Sequence, residues 1–135
     1  VIVTDTNLVT YLVVGNERSE LAATVYEKDP VWVAPLLWRS EFRNALAKFV
    51  SHEGMTLDAA LMALRSAEEL VGGREYRISS EHVLELVVQS RCSAYDCEFV
   101  ALAMDLDVPL VTADKQLLKA FPKTAVSLGK FVKRK

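Results

Sequence analysis

Apolar positions in this chain follow two rhythms, short β-branched runs and longer stretches at helical spacing, and the two alternate. Val1-Ile2-Val3-Thr4 is a short β-branched run with no charge until Asp5, read as a buried first strand. A helical stretch follows through Leu12 and breaks at Gly15-Asn16, after which Ser19 offers the N-cap of a second helix reaching Lys28. Asp29-Pro30 stops that helix, and Val31-Trp32-Val33 reads as the second strand. Leu37, Phe42, Ala45, Leu46 and Phe49 repeat at helical spacing within 36–52, closed by Gly54. Thr56 caps a helix to Leu70, which Gly72-Gly73 ends. Beyond it the pattern predicts an edge strand over 75–78, where charges alternate, and helices over 80–89 and 93–106. A strand over 109–112, a short helix over 115–121 and a last strand over 125–128 complete the series.

Strands alternating with helices predict an α/β fold, with a central mostly parallel sheet flanked by helices. With 135 residues and no repeat, linker or low-complexity segment, 1–135 reads as a single domain. In such sheets ligands bind in the crevice beyond the strands' carboxyl ends. Asp5 ends the first strand and Asp114 lies two residues after Thr112, so both belong on that edge.

Composition narrows the class. At 51% hydrophobic and 25% charged residues the chain is expected to fold, and no apolar run approaches the roughly 20 residues of a membrane span. The opening apolar residues are too few for a signal-peptide core. Cys92 and Cys97 form no C-x-x-C or zinc pattern, and two thiols without a secretion signal predict a reducing cytoplasm. His52 and His82 lack ligand-type neighbours at helical spacing and read as solvated residues. The net charge of −2 conceals a polarity: seven basic residues and no acid lie from Lys115 onward, while nine basic residues and all 18 acids precede it. Lys115, Lys119, Lys130, Lys133 and Arg134 are therefore candidate contacts to a nucleic-acid backbone. The alternative for the basic tail over 129–135 is a solvated, frayed end.

Four carboxylates carry the candidate chemistry: Asp5, Glu41, Asp96 and Asp114. Each has an ordinary explanation. Asp5 and Asp114 can cap the helices that follow them, and Ser93-Ala94-Tyr95-Asp96 has the form of a capping box. Glu41 is one glutamate among many, but it shares a row with Leu37 and Ala45, so it faces the packed side of its helix and needs a partner. Asn44, three residues on, can hydrogen-bond it; Arg39 and Arg43 point to the far side. Oxygen ligands without histidine or thiolate suit Mg²⁺ or Mn²⁺, ions that relieve carboxylate repulsion and stabilise charge on a phosphoryl group.

These motifs, taken in order, closely resemble the PIN-domain family. Asp5-Thr6-Asn7 after a first strand, and Pro35 with Glu41-x-x-Asn44-Ala45-Leu46 on a helix, resemble its first two motifs. Ser93-x-Tyr95-Asp96 leading into Phe99-Val100-Ala101-Leu102-Ala103 resembles the third, and Pro109-Leu110-Val111-Thr112-Ala113-Asp114 the fourth. The likeness spans nearly the whole chain, and the length is most similar to the VapC-type toxins of toxin–antitoxin pairs. It implies a Mg²⁺- or Mn²⁺-dependent endoribonuclease, commonly a homodimer, neutralised by a VapB-like antitoxin. It also implies that Asp5, Glu41, Asp96 and Asp114 serve as metal-site and catalytic acids, with Asn7, Asn44 and Thr112 supporting them.

Trp32 and Trp38 read as core or dimer contacts, and Met55, Met62 and Met104 as packing on helical faces. Gly72-Gly73 neither follows a strand nor opens a helix, so it is no phosphate loop. Among other classes, a phosphoaspartate phosphatase wants a second acid where this chain has Asn7, and a receiver domain wants an acidic pair near its start. A flap nuclease needs more chain. A PIN-like RNA-processing or non-catalytic RNA-binding scaffold module has the same fold but no use for four acids.

Overall fold

The β-branched run at the start becomes the middle of the sheet. In the computed structural model, which describes all 135 residues, β1 (Ile2–Thr4) pairs in parallel with β2 (Trp32–Pro35) on one side and β4 (Leu110–Val111) on the other. The edge strands are β3 (Glu75–Tyr76) and β5 (Ala125–Val126), giving the order β3-β2-β1-β4-β5 with every pair parallel. The strands of the sheet interior are wholly buried, which is why their sequences do not alternate, while the edge strand β3 is partly exposed, at Tyr76.

Eight helices connect and cover the strands: α1 (Thr6–Val13), α2 (Ser19–Lys28), α3 (Trp38–His52), α4 (Leu57–Val71), α5 (Ser80–Ser90), α6 (Ala94–Leu106), α7 (Lys115–Ala120) and α8 (Leu128–Lys133). A cluster of 33 buried apolar residues joins sheet and helices, and Trp32 and Trp38 are its largest members, so both tryptophans are core. Since β2 and β3 lie on one side of β1 and β4 and β5 on the other, the strand order switches direction between β1 and β4, and the crevice of such a fold opens there. Val3 registers with Leu110 and Thr4 with Val111, which sets Asp5 beside Thr112.

Several local expectations change. Ser19 does not cap α2: its hydroxyl accepts from the Asn16 N–H and donates to the Tyr11 carbonyl, tying the α1–α2 turn instead. Helix α5 does begin at Ser80, as its pattern predicted, with Ser79 as the N-cap. His82 is not merely solvated, because its Nδ1 lies 3.2 Å from Asp105 on the neighbouring α6. Met62 and Met104 are exposed rather than packed, since they fall off the buried stripes of α4 and α6.

The basic tail is the largest change. It forms α8, whose Leu128 and Phe131, three residues apart, are buried against the core while the lysines between and after them face out. Lys28 of α2 donates from its ammonium to the Phe131 and Arg134 carbonyls at the C-terminal end of α8, and lies over the Phe131 ring. The end of the described chain is therefore docked, not frayed.

Candidate active site

Four helix N-termini converge on the crevice, and each brings one of the acids. Asp5 is the N-cap of α1 and Asp114 the N-cap of α7, while Glu41 and Asp96 lie in the first turns of α3 and α6. The sequence pattern placed Glu41 deeper in its helix. Because α3 begins at Trp38, Glu41 instead sits at the end where the helix dipole favours negative charge.

The carboxylates are held differently. Asp5, buried, accepts from the Leu8 N–H at 2.8 Å and, on its other oxygen, from the Thr112 hydroxyl across the β1–β4 seam. Thr112 in turn accepts the Asp114 N–H at 3.0 Å, so one hydroxyl orients one acid and the backbone of another. Asp114 uses a single oxygen for both the Gln116 and Leu117 N–H groups. Asp96 does not cap α6 itself; the cap comes from the Ser93 hydroxyl, which accepts the Asp96 N–H at 3.1 Å. Glu41 accepts from the Thr6 hydroxyl at 2.7 Å. Asn44 was the partner its spacing suggested. Thr6 supplies the bond instead, because α1 packs on α3 and no periodicity within α3 reports that contact.

All four acids line one cleft of about 440 Å³, together with Thr6, Asn7, Thr10, Tyr11, Asn16, Asn44, Lys48 and Phe49. Thr112 lies behind it and reaches the cleft through Asp5. None of Lys115, Lys119, Lys130, Lys133 or Arg134 lines this cleft; its only cation is Lys48. The sequence reading passed over Thr6, Tyr11 and Lys48. Thr6 stands inside the Asp5-Thr6-Asn7 motif, and Lys48 continues the Glu41–Asn44 face of α3, so both carried a faint signal.

No basic group compensates the acids. The ion pairs of the chain involve Asp29, Glu68, Glu75 and Asp105, and none of the four. Burial pushes Asp5 up to about 6, and Asp114 and Glu41 nearby add to the rise against its two hydrogen bonds. Burial also raises Glu41, helped by Asp96 and Glu98, and raises Asp96, helped by Asp114. The repulsions thus close a ring: Asp5 with Glu41, Glu41 with Asp96, Asp96 with Asp114, and Asp114 with Asp5.

Uncompensated oxygen donors, partly desolvated and free of histidine and thiolate, fit a hard divalent cation. No three of them converge closely enough to enclose an ion unaided. A site spread around a cleft suits an ion that keeps several of its waters, as Mg²⁺ does.

Comparison with known proteins identifies the family and the fold. The PIN domain family model matches residues 2–123. The chain is 31% identical over 120 residues to ribonuclease VapC1 of Mycobacterium tuberculosis, covering 87% of this chain and 89% of that protein. Its fold is similar to that of PAE2754 from Pyrobaculum aerophilum, with a TM-score of 0.76, 20% identity and coverage of 98% and 87% of the two chains. It is also similar to a chain of a toxin-antitoxin complex from Klebsiella pneumoniae, with a TM-score of 0.70, 18% identity and coverage of 95% and 98%. Ordered motifs, an acid-lined crevice at the β1–β4 seam and a family match across most of its length together place this chain in the PIN-domain family.

Proposed function

We propose that this protein is a Mg²⁺- or Mn²⁺-dependent endoribonuclease hydrolysing RNA phosphodiester bonds, the toxin of a VapBC-type pair. The observation that carries the reading is the ring of four carboxylates around one cleft, none of them in an ion pair. The 31% identity to a VapC ribonuclease supports the substrate class. The likeness to toxin–antitoxin assemblies supports a VapB-like antitoxin as partner, and a homodimer and a cytoplasmic location complete the proposal. No helix is long and apolar enough to cross a membrane.

In this mechanism Asp5, Glu41, Asp96 and Asp114 would hold the metal, in part through its retained waters. When bound, the ion offsets their mutual repulsion and acts as a Lewis acid on the phosphoryl oxygens. Thr112 and the Leu8 N–H fix the Asp5 carboxylate, and Thr6 fixes Glu41, so two ligands are oriented before substrate arrives. Asn7 and Asn44 present amides to the cleft and orient substrate or water there. Lys115, Lys119, Lys130, Lys133 and Arg134, outside the cleft, hold the more distant RNA backbone as unspecific phosphate contacts.

Purified Asp96→Asn protein tests the assignment against single-stranded RNA with Mg²⁺ or Mn²⁺. The α6 cap is the Ser93 hydroxyl, and Asn keeps an oxygen acceptor at the position, so the fold should persist while cleavage falls by about 100-fold or more. Undiminished cleavage would remove Asp96 from the site and with it the four-acid mechanism.

A further inference from the structure

The cleft has two ends of opposite character. Thr6 and Glu41, joined by a hydrogen bond, mark the acidic end, and from that bond both helices carry cleft-lining residues onward. Along α1 these are Asn7, Thr10 and Tyr11; along α3 they are Asn44, Ala45, Lys48 and Phe49. At about 1.5 Å of rise per residue, Lys48 stands roughly 10 Å along α3 from Glu41. The far end thus holds two aromatic rings, the Asn16 amide and one ammonium, and no acid.

Two observations mark this end as more than the rim of the metal site. Lys48 is exposed and takes part in no ion pair, although the cleft it lines is otherwise acidic. Tyr11 is backed by a second cation: Arg18 lies 5.6 Å from its ring centroid and reaches its hydroxyl at 3.5 Å. A ring with a cation stacked on it, beside a free ammonium and an amide, matches the parts of a nucleotide: base face, base edge and phosphate.

We infer that Tyr11, Asn16, Lys48 and Phe49, with Arg18 behind Tyr11, form the subsite for the nucleotide flanking the scissile phosphodiester in single-stranded RNA. Lys48 pairs with the flanking phosphate, and Tyr11 and Phe49 give the base an apolar face. A duplex presents no such free base, so the subsite selects unpaired strands. This rests on the ribonuclease reading for its substrate class.

Binding of a fluorescein-labelled eight-nucleotide single-stranded RNA, in an Asp96→Asn background with Mg²⁺, reads the subsite without cleavage. Lys48→Ala should lower the slope of log affinity against log salt by about 0.7, the share of one phosphate contact, and Lys48→Arg should keep it. Tyr11→Ala should weaken binding about five-fold or more, the low end for one stacked base. Arg65→Ala, the same charge change on exposed α4, should leave slope and affinity unaltered. If Lys48→Ala matches its parent in slope and affinity, or Arg65→Ala lowers both as much, or the parent binds no RNA, the subsite is wrong. Lys48 is exposed, so its variants fold whatever the fate of Tyr11→Ala. Cleavage by the unmodified protein is followed in parallel. Absence of cleavage with Lys48-dependent binding overturns the nuclease reading alone, whereas cleavage with unchanged Lys48→Ala binding overturns the subsite alone.

Discussion

At the scale of single residues, Asp5 stores the cost of the site. Its carboxyl has a value of about 6 in the fold against an ordinary 3.8, chiefly through burial. Between those values the folded chain binds more protons than the unfolded one, so stability falls as pH rises through the window. The penalty is complete above about pH 6 and amounts to about 3 kcal/mol, at 1.36 kcal/mol per unit. Glu41 and Asp96 shift in the same direction, while Glu75, lowered by Arg39, has the opposite sign and costs stability only as pH falls through its own lower value. In chelator, the melting temperature should therefore decline from pH 4 to pH 6.5, and Asp5→Asn should flatten that decline. Asn retains an oxygen for the Leu8 N–H, so the α1 cap survives the change. Parallel declines in both proteins would show that the Asp5 carboxyl does not titrate as described.

At the scale of elements, α3 carries two jobs on two faces. One face presents Glu41, Asn44 and Lys48 to the cleft, and the other anchors the helix to the edge of the sheet. Arg39 grips Glu75 of β3 with two bonds of 2.6 and 2.8 Å, reaches Glu68 of α4 at 2.8 Å, and Trp38 donates to the same Glu75 oxygen at 3.0 Å. Glu75 is nearly buried, so losing Arg39 strands a carboxylate with neutral donors alone. Arg39→Ala should cost about 1–3 kcal/mol in chemical denaturation. Arg39→Lys should recover only part of it, because an ammonium does not reproduce the two-pronged contact. RNA cleavage at saturating metal should stay close to unmodified in both, since the acids lie on the opposite face. A loss of less than about 0.5 kcal/mol in Arg39→Ala would reduce the network to a solvated ion pair.

For the whole molecule, α8 joins charge polarity to stability. Residues 1–114 carry a formal −9 and the remaining 21 carry +7, yet Leu128 and Phe131 bind that basic segment to the core. Deleting 128–135 removes two buried side chains, together about 3–6 kcal/mol as an upper bound. That is a large part of the 5–15 kcal/mol typical of a domain, so the truncated protein should melt far lower or fail to fold. Replacing Lys130, Lys133 and Lys135 by Ala separates charge from packing. The triple variant should keep its melting temperature and lower the RNA salt slope by about 2, if each lysine meets a phosphate at about 0.7 per contact. An unchanged slope would leave α8 with a packing role and confine phosphate contacts to the cleft side.

Much of this was legible in the sequence, because both rhythms of burial are local. β1 and β4 announce themselves as uninterrupted apolar runs, and the helices by caps such as Thr56 and stops such as Gly54. Asp5 and Asp114 followed from the same logic, since the crevice of a parallel sheet lies beyond its strand ends and both residues sit there. What only tertiary structure decided concerns partners far apart in the chain. The Thr6 bond to Glu41 spans 35 positions and the Thr112 bond to Asp5 spans 107, and no periodicity encodes either. Helix α8 was hidden because it is only six residues long and holds Gly129 and two lysines, and its stability comes from α2 and the core. Residue types and their order determined which chemistry the chain carries. Packing of α1 on α3, and of β4 against β1, determined where the charges meet, because the cost of burying carboxylates together depends on distances that only the fold sets.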